Sequence, residues 1–546
     1  MPSLCSQIHQ PFLSFGIFLF IVVVLATVIL NPRSDTDTII VVSAFSPLHA
    51  NSPCLRDPTT KPTIGRRTMP LSSTFRHDDW IVSSLDNREG GGDTSTTENM
   101  NDLTATRNSP GTTKPPIRPT TRLFLHFDIN ETILLGDDAG GDSRHESVQK
   151  MIAKSSFVQI PQHSEGGARG AVSWDETQNI EPTHWWDGQP IVPAPDDEND
   201  PSRSSQSVSP PKLYTGWEWP AGCCPYYRTK YKKYSKDFVL SHHPGHGHIY
   251  EPLLMACEDA LASSSSSGSS SCSQNQQQQQ QNPDPNHILP AFYRTLQYLV
   301  EEDGSDLANK DPEKDQHTPP FMVIFRTFGS DLDEICNVMT EFAQGKHPDY
   351  PNIKCPQLCL SKDNLYQGRW KEEIVENDRN NNSEKKVVYQ LWTSDGSQLV
   401  ASGDNEILEF LLKKKDESST CCIGIRDDYQ YWKKNNYAPT AGKPIWVPCY
   451  DNDGGSDGSS SSSSLPYDHH LFFDDNIHNL PHDGIACVRQ QQNDGSYESV
   501  DGSIMHKREQ GYQGVHMIRV PTVEPVLNPS WYIEHIKNAR TRLQNK

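Results

Sequence analysis

Short, almost wholly apolar segments that end on a polar group, each followed by residues at helical spacing, constrain this chain more than any other feature. The first is FLHFDINETILL at 124–135, where Leu123, Phe124, Leu125 and Phe127 lead into Asp128. Near-continuous apolar positions fit a strand buried on both faces, the habit of parallel sheets. FMVIFRTF (321–328) follows a double proline and leads into GSDLDEICNVMTEFAQ, where Leu332, Ile335, Met339 and Phe342 recur at helical spacing. Ser330 or Asp331 is the expected cap of that helix. TCCIGI (420–425), HHLFF (469–473) and GVHMIRVP (514–521) read as further buried strands. KVVYQLW and QLVAS flank Thr393-Ser394-Asp395-Gly396, a hairpin signal. NEILEFLLKKK (405–415) reads as a short helix with Asp404 before it and lysines in its last turn, as the helix dipole favours. NPSWYIEHIKNARTRLQ reads as another, with Asn528 as cap, Pro529 at the first helical position and Trp531, Ile533, Ile536 and Leu543 as an apolar stripe. Alternation of this kind predicts a three-layer α/β domain on a parallel sheet.

That domain does not fill the chain. Over 546 residues the hydrophobic share is 34% and the mean hydropathy −0.68, low for a chain folded throughout. Residues 31–120, rich in Ser, Thr, Pro, Asp and Arg without a period of 2 or 3.6, read as a disordered linker. Low-complexity runs at 263–285 and 451–464 read as loop insertions in the folded part. Asp and Glu total 70 against 49 Lys and Arg, a formal charge of −21, and no basic stripe stands out; this excludes nucleic acid as an expected partner. The 13 cysteines are scattered and fit neither a zinc ribbon nor a small disulfide framework.

Phe12 to Leu30 is an uncharged apolar run close to the ~20 residues a helix needs to cross a bilayer. No Lys or Arg precedes it, and it exceeds the usual apolar core of a cleaved signal, so residues 1–30 are expected to form a single-pass membrane anchor. The alternative is a cleaved secretory or plastid presequence, since VVSAFSP (41–47) resembles the small-residue-then-phenylalanine junction of plastid-targeting presequences.

In sheets of this kind ligands bind beyond the carboxyl ends of the strands. One strand here ends in Asp128-Ile129-Asn130-Glu131-Thr132, another in Arg326-Thr327 and a later one in Asp474-Asp475-Asn476. Carboxylates from two of these ends and a hydroxyl from the third suit one Mg²⁺ and one phosphate, because Mg²⁺ binds through one or two carboxylates plus substrate oxygens.

FLHFDINETI, FMVIFRT, a lysine within YQYWKKNNYAPTAGKPIWV, and HLFFDDN together resemble, in order, the four motifs of the haloacid dehalogenase-like hydrolase superfamily. The resemblance covers about residues 121–546 and is similar to eukaryotic members with a DIN or DVN first motif. It implies a Rossmann-like parallel sheet and, between the first two motifs, a cap-type insertion at 136–320 that selects the substrate. It further implies that Asp128 is a nucleophile forming an aspartyl-phosphate and that Thr327 bonds the phosphoryl oxygens. Lys443 offsets charge, with Lys433 and Lys434 as competitors for that role, and Asp128, the Asn130 main-chain carbonyl, Asp474 and Asp475 hold Mg²⁺. Asn130 is the departure: the superfamily has an acid there that moves a proton, and an amide has none to move. Metal and phosphate binding are thus expected to outlast turnover, unless Glu131 or a cap residue substitutes.

Two readings follow. One is a membrane-tethered, Mg²⁺-dependent phosphohydrolase acting on a small phosphorylated substrate. The other is a catalytically weakened or inactive relative that binds a phosphorylated ligand or a protein partner. In the insertion, Arg228, Lys230, Lys232 and Lys233 are candidate contacts for an anionic substrate, Trp185-Trp186 read as packing, and His242, His243, His246 and His248 lack a recognised ligand spacing.

Overall fold

The computed structural model describes residues 81–82 and 122–544, apart from 137–140, 162–178, 195–208, 264–287, 302–319, 378–381, 418–419, 450–467, 479 and 508–509. The expected membrane or signal segment (1–30), the linker but for 81–82, and the low-complexity runs beyond Ser263 lie outside the described residues. Among the described residues no helix is long and apolar enough to cross a membrane.

The strands in chain order are β1 (Ile81–Val82), β2 (Arg122–Asp128), β3 (Phe157–Gln159), β4 (Leu213–Tyr214), β5 (Cys223–Pro225), β6 (Phe321–Thr327), β7 (Leu365–Asn377) and β8 (Asn382–Thr393). They continue with β9 (Leu399–Ser402), β10 (Cys422–Arg426), β11 (Lys443–Val447), β12 (Asp468–Asp474), β13 (Ala486–Gln491), β14 (Tyr497–Ser499) and β15 (Met517–Arg519). The α-helices are α1 (Arg144–Ser155), α2 (Glu251–Ser263), α3 (Pro290–Glu301), α4 (Leu332–Ala343), α5 (Asp404–Glu417) and α6 (Tyr429–Lys434), then α7 (Gly502–Met505), α8 (Val523–Leu527) and α9 (Trp531–Gln544).

Eight strands make the main sheet, in the order β15-β12-β2-β6-β10-β7-β8-β9. The six from β15 to β7 are parallel, each to its neighbour. β8 runs antiparallel to β7 and β9 antiparallel to β8. The class is therefore α/β, as the alternation predicts, but the sheet is mixed. The second reversal is local: Gly396 takes a φ of +72° in the Thr393–Gly396 turn, which lets the chain double back from β8 into β9.

Side-chain alternation divides the apolar residues of each strand between two faces. Leu123, Leu125 and Phe127 of β2 join Phe321, Val323 and Phe325 of β6 and Leu471 and Phe473 of β12 in one core cluster, against Val148, Ile152, Phe292, Leu296, Tyr532 and Ile536 of α1, α3 and α9. Phe127 stacks on Phe473 at 4.9 Å and meets Phe292 edge-on at 5.1 Å. The stretch at 136–320 thus shares its apolar residues with the sheet's own core, Trp185 included. Phe124, Met322 and Ile324 point the other way, to Ile407 and Leu411 of α5 and to Trp446. Trp446 belongs to a second sheet, β11-β13-β14. That sheet covers part of the second face and, as shown below, carries a site residue.

Candidate active site

Three adjacent parallel strands deliver the site. β12, β2 and β6 are neighbours, with Phe473 paired to Phe127 and Asp128 to Arg326, so Asp474, Asp128 and Thr327 emerge side by side at the carboxyl edge. All three are buried. The lysine comes from elsewhere: Lys443 opens β11 in the smaller sheet. Its buried Nζ donates to Asp128 Oδ1 and, at 3.0 Å, to Asp474 Oδ2, with the Phe328 ring centroid 4.9 Å away. Lys433 and Lys434, its competitors in the sequence, are exposed on α6.

The next acid is tied in by its backbone. Asp475 N–H donates to Thr132 Oγ1 at 3.1 Å, and that hydroxyl lies 3.4 Å from Asp128 Oδ2 as donor. Asp128, Asp474 and Asp475 each offer a ligand atom, all within 4.8 Å of one another. Among the described residues the four histidines of 242–248 form no such group; His246 meets Tyr226 Oη at 3.1 Å and His248 the carbonyl of Gly245 at 2.8 Å.

Charge crowding marks this centre. Burial first and Asp474 second push the Asp128 carboxyl well above its ordinary range, against the pull of Lys443. Burial likewise lifts Asp475 to about 6 although Lys154 opposes it. Lys443 moves up despite burial, because Asp128 and Asp474 flank it. These are clustered carboxylates whose burial outweighs the lysines beside them, a pattern that makes a candidate site for a cation or a reaction.

A second cation stands beside the first. Lys154, in the last turn of α1, donates to Asp475 Oδ2 at 2.6 Å and to Glu131. Lys150 reaches the other Glu131 oxygen at 2.5 Å. Burial raises the Glu131 carboxyl, yet the two lysines outweigh it and hold the group at about 2. Glu131 is thus flanked by two cations, in a tight turn where its own φ is +57°.

Asn130 turns towards β6. Its Nδ2 donates to Asp331 Oδ2 at 3.0 Å, while its carboxamide oxygen is buried without a hydrogen-bond partner. Thr327 Oγ1 donates to the same Asp331 oxygen at 3.0 Å and accepts from Gly329 N–H at 2.8 Å. Asp331 precedes α4, but its side chain makes no capping bond there; it bridges two strand ends instead. Beneath Thr327, buried Arg326 clamps Asp427 at 2.9 and 2.5 Å, and Asp427 N–H donates to Thr327 O at 2.7 Å. In the insertion, Arg228 pairs with Asp483 at 2.9 Å and Lys230 with Glu181.

Asp128, Thr327, Lys443, Asp474 and Asp475 are brought together as the sequence suggests, with Asn130 at the rim. Lys154, Lys150 and the bridging role of Asp331 carry no sequence signal, because each acts through a partner distant in the chain. Comparison with protein-family models, curated proteins and solved structures finds no match to this chain.

Proposed function

We propose that the chain is a Mg²⁺-dependent phosphohydrolase of the haloacid dehalogenase-like kind, built on a Rossmann-like arrangement and acting through an aspartyl-phosphate on Asp128. The observation that carries this reading is the convergence of Asp128, Asp474 and Asp475 within 4.8 Å beside a buried Lys443 at the carboxyl edge of a parallel sheet. The donor set fits Mg²⁺: hard carboxylate oxygens, too few to fill its coordination and so leaving room for water and phosphate. Asp128, Asp474, Asp475 and the Asn130 carbonyl are the residues to hold it. Bound there, it supplies the positive charge that keeps the crowded acids ionised and offsets the phosphoryl oxygens.

The chain's own groups divide the remaining work. Asp128 attacks phosphorus as an anion, favoured by Lys443. Thr327 Oγ1, at the end of β6 beside the Asp128 strand, is the donor for phosphoryl oxygens, giving up its bond to Asp331 to make one. The segment 136–320 is the substrate-selecting insertion, and the substrate is a small phosphate ester. The apolar run Phe12–Leu30 supports tethering to a membrane.

Asn130 favours a second reading, a pocket that binds a phosphorylated ligand or a protein without turning it over. One assay separates the two. The full chain with Mg²⁺ is expected to hydrolyse para-nitrophenyl phosphate, and Asp128→Asn to lose that activity entirely. No turnover of this or any other phosphate ester by the native chain, with activity gained in Asn130→Asp, favours the binding reading and removes the first.

A further inference from the structure

β15 is the last strand of the main sheet, on the side of β12 away from β2. Beside it lies a cavity of about 610 Å³, of the size small ligands occupy, which Asp128, Asp474 and Asp475 do not line. Three pieces of chain wall it. β15 gives Met517, Ile518 and Arg519. α9 turns one stripe towards it, since Trp531, His535, Asn538 and Arg542 fall at steps of four, three and four residues, the spacing of a single helix face. Thr215–Trp217, from the insertion, close another side and are held to β15 by Arg519, whose guanidinium donates to the Gly216 carbonyl at 2.7 Å.

The wall carries two guanidinium groups against one carboxylate. That carboxylate, Glu524, is taken up by uncharged donors, the Thr215 hydroxyl on Oε1 and the Trp531 indole on Oε2, each at 2.5 Å. Among the described residues neither arginine is ion-paired. Arg519 has the Gly216 carbonyl for a partner, with Asp475 and Glu524 beyond ion-pair reach. Arg542 makes no hydrogen bond to the described residues and lies against Gly514, where a Cβ would collide with its Nη1 and where a φ of +69° also suits glycine. Two more polar groups of the wall lack hydrogen-bond partners: the indole N–H of Trp217, a side chain only 7% exposed, and the carboxamide oxygen of Gln513.

We propose that this cavity binds a small organic anion, with a carboxylate or phosphoryl group meeting Arg519 and Arg542 and an apolar body packing on Trp217 and Met517. The planar fork of a guanidinium matches both head groups. An uncharged ligand would leave two cations without a counter-charge, and a cationic one would meet like charge. A bare inorganic ion would fill little of 610 Å³ and leave the apolar part of the wall uncovered. The site is separate from the acid centre and stands whether or not that centre turns over phosphate esters.

Phenylphosphonate and benzoate provide the test, since they share a ring, differ in head group and have no ester bond to cleave. Titration calorimetry of the full chain in EDTA, which keeps Mg²⁺ from the acid centre, is expected to show one equivalent bound. The tighter of the two identifies phosphoryl or carboxylate as the group the arginines take. Arg542 is exposed, so Arg542→Ala leaves the fold intact, and it is expected to weaken that anion about 10–100-fold, the effect of losing one charged hydrogen-bonding partner. Arg519→Gln is expected to do the same, and Trp217→Phe, which keeps an aromatic ring and drops the N–H, to weaken it about tenfold. Asp128→Asn, in the other centre, is expected to bind as the native chain does. No binding of either anion, native affinity in either arginine variant, or loss of binding in Asp128→Asn overturns the proposal.

Discussion

Lys443 is the residue on which the centre balances. Its ammonium is buried between Asp128 and Asp474, and removing one partner of a buried ionic group leaves the others uncompensated. Lys443→Met keeps the length and drops the charge, so it is expected to cost about 3–5 kcal/mol in urea unfolding. Mg²⁺ is expected to restore part of that, since a cation at the same acids replaces the lost charge; a midpoint indifferent to Mg²⁺ in this variant speaks against a metal there. A second residue-scale expectation concerns His469 and His470 of β12. Burial holds them neutral, at about 4 and about 3 against an ordinary 6.5. The unfolded chain then binds more protons than the fold below pH 6.5, so their contribution is intact above that value and declines as acid is added. Each costs about 1.4 kcal/mol per pH unit in that window. Urea midpoints measured from pH 7 down to about pH 5 should fall, and fall less steeply in His469→Gln, which keeps a donor for the Val515 carbonyl now bonded at 2.6 Å.

At the scale of elements, the strand ends are fixed by polar clamps set in apolar layers. Arg326, the last residue but one of β6, is clamped to Asp427, just beyond β10, while Tyr389 of β8 donates to the same carboxylate. Arg326→Met should therefore destabilise by about 3–5 kcal/mol and loosen Thr327, whose carbonyl accepts from Asp427. Adding Asp427→Leu should recover much of that loss, because no buried charge is then left unpaired; a double variant as unstable as the sum of the singles contradicts this account. Gly368 on β7 belongs to the same unit, as a Cβ there would meet the Tyr389 hydroxyl at 1.7 Å. Gly368→Ala is expected to displace Tyr389 and lower the thermal midpoint. The helices show where local signals stop. Asn528 and Pro529 suggested a start one residue after the cap, yet α9 begins at Trp531, with Asn528 Oδ1 accepting from Ser530 N–H at 2.9 Å. Asp331, with Ser330 one of two caps the sequence offers, is drawn away by Thr327 and by Asn130, the latter a donor 201 residues distant that no local pattern reveals.

For the whole molecule, a site assembled from residues 128, 154, 327, 331, 443 and 474–475 exists only in the folded chain, so a ligand of that site must stabilise the fold. Mg²⁺ at about 100 times its Kd is expected to add about 2.7 kcal/mol of unfolding free energy, and Asp474→Asn with Asp475→Asn to abolish the shift. Thermal melts across a Mg²⁺ series check this; an equal shift in the double variant places the ion elsewhere. Much of this assembly is legible in one dimension. Apolar runs bounded by turns mark β2, β6, β10 and β12, and an acid or hydroxyl at their carboxyl ends marks the chemistry, because strand burial and strand termination are local properties of the sequence. The hairpin into β9 is equally local. The pairing of charges is not. Lys443 reaches Asp128 from another sheet, Lys154 reaches Asp475 from α1, and Asp331 faces Asn130, across separations of 315, 321 and 201 residues. The sequence by itself marked β2, β6, β10 and β12, the order in which they carry chemistry and the polar groups at the ends of β2, β6 and β12. Only the tertiary structure decided which cation compensates which acid, because side-chain direction across packed layers follows from where distant elements meet, and no local period encodes that.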